Sequence, residues 1–140
     1  MLASYHAGFT QGIPHPICAT KPRVDLTVTA EQGILIDSVI CQAGALVNHK
    51  TINNVSLDEI GPSYMVYHIE TATHDIILAN GAPAETFIDY VSRRCFDNYA
   101  EFELLYGDVP HIEQLDYPRA WSARQVPPRI KSMLECPELA

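Results

Sequence analysis

Asn80-Gly81 constrains this chain more than any other pair of residues. It follows the apolar run 76–79, and Asn-Gly between apolar runs marks a tight hairpin, because a type I′ turn needs positive φ at both central residues. Upstream, Met65, Tyr67 and Ile69 alternate with Val66, His68 and Glu70, the period of a strand with one face buried. A polar turn over 71–73 separates the two runs, so residues 64–90 are predicted to form a β-meander. His74 and Asp75 stand at its mouth, at a strand start, where a side chain can face either core or cleft.

Earlier residues extend the same pattern. Leu26 and Val28 alternate with polar neighbours, short apolar runs flank Asp37, and Gly44 breaks the chain before 45–47. No amphipathic stretch of a dozen residues separates these runs, which predicts a mainly β body of short antiparallel strands and not βαβ units. Residues 1–23, rich in Pro, Gly and His, show neither period and are expected to be an irregular lead-in to a β body over 24–90. Phe96, Tyr99, Phe102, Leu105 and Tyr106 recur at spacings of three and four. This predicts a short helix within 91–107, with Asp97 as N-cap and Gly107 as its end. Four prolines between 108 and 128 exclude a long regular element there, and 130–134 is expected to add a last helical turn to a Pro-rich basic tail, 108–140.

The 140 residues, 47% of them hydrophobic, fit one domain with a buried core. No apolar run approaches the roughly eighteen residues of a membrane span. Residues 1–10 lack the basic and apolar regions of a signal peptide, so a cytoplasmic protein is expected. Of the net charge of −8, residues 1–117 carry 15 acids against 5 bases, whereas 118–134 carry Arg119, Arg124, Arg129 and Lys131 with no acid. An acidic body argues against nucleic-acid binding, and the basic segment is expected to be solvated or docked on the body itself. Cys18, Cys41, Cys95 and Cys136 are too dispersed for a zinc site. They are expected to be free thiols, with Cys41 in the core, and no metal or other cofactor is expected.

In their order and spacing, TVTAEQGILID at 27–37, AGALVN at 43–48, YHIETATHDIILANGAPAETFIDY at 67–90 and PPRIKSML at 127–134 carry a family resemblance. Together they resemble the Hint domain of hedgehog proteins and inteins, in the bacterial subgroup with a similar SPxHxxLxDG…LVNG…HxELxxHDxLLAxGxPAExxxD pattern. Each piece alone is weakly specific. The resemblance implies a β-fold that attacks its own upstream peptide bond: a first-position cysteine or serine adds to the preceding carbonyl, assisted by the histidine of a Thr-x-x-His motif and a later histidine.

Carried over residue by residue, the resemblance retains part of that set. Thr29 matches the threonine, but Gln32 stands where the motif has histidine, and an amide exchanges no proton near neutral pH. His74 matches the later histidine and Asp75 follows it, while the terminal His-Asn of inteins falls at Ala84-Glu85. The family's opening segment, on the order of sixty residues, is expected to be missing.

Each residue also has a structural reading: Thr29 and Gln32 as turn formers, His74 as a hydrogen-bonding strand-end residue, His68 as a satisfied core histidine, Glu70 and Glu85 as solvated or paired. Three functions follow, in order. The first is a degenerate, N-terminally truncated Hint domain without autoprocessing, retained as a fold or interaction module. The second is an active self-cleaving domain whose N-terminal part comes from another chain. The third is an unrelated small hydrolase using His74 and Asp75. For the first, the expected partner is protein, a second copy or another chain, met through an open sheet edge.

Overall fold

The computed structural model describes residues 2–5, 25–88, 92–107 and 111–135. The fold is mainly β. Strands β1 (Leu2–Tyr5), β2 (Leu26–Thr29) and β5 (Ile52–Val55) form an antiparallel sheet in the order β2-β1-β5. A second sheet contains β3 (Gly33–Ile36), β4 (Val39–Gln42), β6 (Ile76–Ala79), β7 (Ala82–Glu85) and β8 (Arg119–Ala120). Its order is β6-β7-β3-β4-β8, antiparallel except for the parallel β4–β8 pair. Among the described residues the α-helices are α1 (Leu57–Ile60), α2 (Tyr99–Tyr106) and α3 (Pro128–Glu135).

Both hairpins of the larger sheet are tight two-residue turns. Asn80 and Gly81 adopt φ of 49° and 93°, as the Asn-Gly pair predicts, and Ala79 pairs with Ala82 across them. Asp37 and Ser38, at φ 47° and 63°, do the same between Ile36 and Val39, a left-handed pair that no glycine announces. Arg129 of α3 forms an ion pair with the Asp37 carboxylate at this turn.

Strand alternation gives the larger sheet two distinct faces. One presents Ile34, Ile36, Val39, Cys41, Ala84 and Ala120, which join Leu46, Ile52, Val126, Ile130 and Leu134 in the main hydrophobic cluster. The segment expected as a tail therefore supplies β8, which closes the sheet, and α3, which covers it with Ile130 and Leu134. Pro128 fits as the first residue of α3, where the missing N–H is no loss. Thr51 Oγ1 donates to the Leu134 carbonyl at 3.0 Å at the end of α3. Asn48 Oδ1 accepts the N–H groups of Lys50, Thr51 and Ile52, each at 3.0 Å, which fixes the turn after the AGALVN run.

Several expectations need correction. Leu2–Tyr5 is a strand and not part of an irregular lead-in; four residues show no period, and backbone pairing to β2 and β5 decides the matter. The remaining lead-in, 6–24, lies outside the described residues. The strand expected over 65–70 is an extended segment outside both sheets, with Met65, Val66, Tyr67 and Ile69 exposed. Alternation says which side chains could share a face, but a strand also needs a backbone partner, and among the described residues only the Ile69 carbonyl finds one, the Phe87 N–H at 2.7 Å. His68 is exposed and not a core residue; its ring lies against Phe87 and Phe96 at centroid distances of 6.1 and 5.1 Å. The helix begins after Asn98, not Asp97, and ends at Gly107, whose φ of 63° suits glycine.

Candidate functional site

The second face of the larger sheet carries Gly33, Ile40, Glu85 and Arg119, each adjacent in sequence to a residue of the core face and therefore pointing the other way. Glu85 on β7 and Arg119 on β8 are three strand spacings apart, about 14 Å at the usual separation. Their side chains meet over the intervening strands because Gly33 is there. A Cβ at Gly33 would fall 2.1 Å from Glu85 Oε1 and 2.7 Å from Ile40 Cγ2, so the carboxylate occupies the space a side chain would fill. The glycine matters here for close approach and not for its backbone angle.

Arg119 grips Glu85 with both terminal nitrogens. Nη2 donates to Oε2, and Nη1 to Oε1 at 3.3 Å. The two side chains are 8% and 7% exposed, so each charge has its partner in place of water. The same guanidinium lies 5.3 Å from the ring centroid of Trp121.

His74 completes the cluster with a fully buried side chain. The Leu115 N–H donates to its Nδ1 at 2.9 Å, which places the imidazole proton on Nε2, and Nε2 lies 2.9 Å from Glu85 Oε2. The ring is thus a neutral imidazole whose donor is spent on Glu85 and whose acceptor is spent on a backbone amide. No lone pair remains to take a proton from an outside group.

Gln32 reaches the same place from β3. Its Nε2 donates to the Glu85 carbonyl at 2.9 Å and to the Gly33 carbonyl at 3.1 Å, using both amide hydrogens to tie the ends of β3 and β7 together. Its backbone N–H donates to the Thr29 carbonyl at 3.1 Å, and its carbonyl accepts from Ala43 N–H at 2.8 Å. Thr29 enters the site only through that turn.

Asp75, the other sequence candidate, is not the carboxylate partner of His74. Its Oδ2 accepts from Thr73 Oγ1 at 2.9 Å and lies 3.0 Å from Thr71 Oγ1, while its backbone N–H donates to Thr86 Oγ1 at 2.9 Å. It shapes the turn before β6. The acid hydrogen-bonded to His74 is Glu85, eleven residues on.

Sequence reasoning left Glu85 as solvated or paired and Arg119 as part of a basic tail. The available signal was an acid within the apolar run Ala82–Glu85, facing an arginine in a segment free of acids. Glu70 is paired too, held by Arg93 through contacts of 2.6 and 3.0 Å. Cys41 is a core thiol that burial pushes up to about 11, and Cys95 is exposed. Among the described residues no group of three or more His, Cys, Asp or Glu is arranged to hold a metal, and no helix is long and apolar enough to cross a membrane.

Two of the stretches that carry the resemblance, 27–37 and 67–90, supply Gln32, Gly33, His74 and Glu85 to the closed cluster, and Leu115 and Arg119 come from outside them. No curated protein and no solved structure matches the chain. A family model, described as Hint domain, matches residues 14–91, more than half of the 140-residue chain, and the chain therefore belongs to the Hint domain family.

Proposed function

We propose that this protein is a Hint domain without autoprocessing activity, serving as a folded module that binds other protein. The observation that carries the reading is the closed hydrogen bonding of His74. With Nδ1 held by the Leu115 N–H and Nε2 held by Glu85, the imidazole has no free position from which to deliver a proton to a departing amide or receive one from a nucleophile. Gln32 supports the same reading. Where the family motif has a histidine, its amide is engaged with two backbone carbonyls and has no proton to exchange.

The test is a reporter fused upstream of the chain and incubated with dithiothreitol or hydroxylamine. The expected outcome is an intact fusion. A thiol-dependent cleavage product at the junction sinks the proposal, and cleavage only on adding a second polypeptide favours the reading in which another chain supplies the missing chemistry. Protein binding through an exposed sheet edge or extended segment is the activity this leaves to the fold.

A further inference from the structure

We infer that residues 64–69 form an intermolecular strand that pairs antiparallel with the same segment of a second copy. The inference rests on the interaction-module reading above and names its partner. The segment is extended, and Gly61, at φ +84° with nothing within 4 Å of the position of a Cβ, sends the chain into it through Pro62. From Tyr64 to His68 no backbone group bonds to another described residue. The first anchor is the Ile69 carbonyl, followed by Glu70 in its clamp with Arg93. These are the free N–H and C=O groups of an unpaired strand, which recruit another strand.

The side chains before His68, whose ring packs on Phe87 and Phe96, are exposed in the same way. Met65 is 69%, Tyr67 84% and Ile69 57% exposed, so the face that carries these three is uncovered, while Tyr64 and Val66 on the opposite face are 46% and 41% exposed. At these exposures the five residues leave on the order of 600 Å² of largely apolar surface, as large as the largest patch on an ordinary monomer. Helix α2 adds to it: Phe102 lies under the Arg93 guanidinium that holds Glu70, and exposed Tyr106 packs on Phe102 at 5.1 Å.

A second copy is the occupant because the segment is complementary to itself. With the two-fold axis at Val66, Met65 faces Tyr67 twice, a sulfur–aromatic pairing, and Tyr64 faces His68. Glu70 falls opposite Pro62, which has no N–H, so the ladder ends where the first charges begin. The chain carries a net charge of −8, and two copies repel over most of their surface. Residues 61–69 carry no formal charge, and Glu70 beyond them is neutralised by Arg93.

Sedimentation equilibrium of the full chain over a wide concentration range gives the first readout. The mass is expected to rise from 15.6 kDa toward twice that value. Amide hydrogen exchange gives the second: protection of residues 64–68 is expected at high concentration and is lost on dilution. The double variant Met65→Lys/Tyr67→Lys places like charges across the pairing on side chains that are already exposed. It is expected to stay monomeric with an unchanged melting temperature. A parent chain that is monomeric throughout, a dimer that survives the double variant, or protection confined to other strands overturns the inference. Failure of the silent-domain reading shows separately, as cleavage of the upstream reporter.

Discussion

Replacing Arg119 by methionine keeps most of the side chain's apolar stem and removes only the guanidinium. Both Glu85 oxygens then lose their charged donor, and the His74 Nε2–H is the one donor left to a carboxylate whose side chain is 7% exposed. Breaking a buried ion pair from one side costs about 3–5 kcal/mol, because the remaining charge is neither paired nor hydrated. A chain of this length has a total stability of roughly 7–14 kcal/mol, so the variant is expected to lose about a third of it and to melt on the order of 10 °C lower. Urea unfolding followed by far-ultraviolet circular dichroism is the suitable assay. Fluorescence of the single tryptophan is unsuitable, since Trp121 sits 5.3 Å from the group being removed. The double variant Arg119→Met/Glu85→Met removes both charges of the pair and leaves the His74 Nε2–H without its acceptor, a loss of about 1–3 kcal/mol. It should therefore be more stable than Arg119→Met alone. A loss below about 1 kcal/mol for the single variant, or losses that simply add in the double, would refute the picture of a desolvated, mutually dependent pair.

Gly33→Ala should destabilise by about 1–3 kcal/mol by overpacking, since its new Cβ meets the Glu85 carboxylate and Ile40, and denaturant midpoints will show it. His74→Ala leaves the Leu115 N–H without its acceptor, leaves Glu85 Oε2 to Arg119 alone and opens a cavity where a fully buried ring stood, and about 2–4 kcal/mol is expected. Leu78→Ala, on the exposed side of β6, should stay within about 0.5 kcal/mol in the same assay, whereas Ile34→Ala in the core should cost about 2–5 kcal/mol. Burial raises the Cys41 thiol from its ordinary 9.0 to about 11, so the folded state disfavours the thiolate. Its contribution to stability is complete below pH 9 and is lost as pH rises toward 11, about 2–3 kcal/mol in all; Cys41→Val should lack that part of the alkaline decline.

What the sequence determined by itself is local. Asn80-Gly81 specified a turn because only residues tolerant of positive φ fit there, and Gly107 ended α2 for the same reason. Apolar runs too short for helices specified a mainly β body, and the spacing of TVTAEQGILID, AGALVN and HIETATHD carried the family. Tertiary structure alone decided the pairings. Nothing near residue 65 reveals whether an alternating segment will find a neighbouring backbone, so residues 64–69 read as a strand yet stand outside both sheets. The same holds at the site. His74 takes its carboxylate from Glu85 and not from adjacent Asp75, because neighbours along an extended chain point to opposite sides while β6 and β7 fold back on each other. Arg119 arrives from 34 positions beyond Glu85 only because β8 joins β4 in parallel and Gly33 leaves the space between them open. A glycine's missing side chain matters through what lies opposite it in space, and a sequence states that only once it has folded.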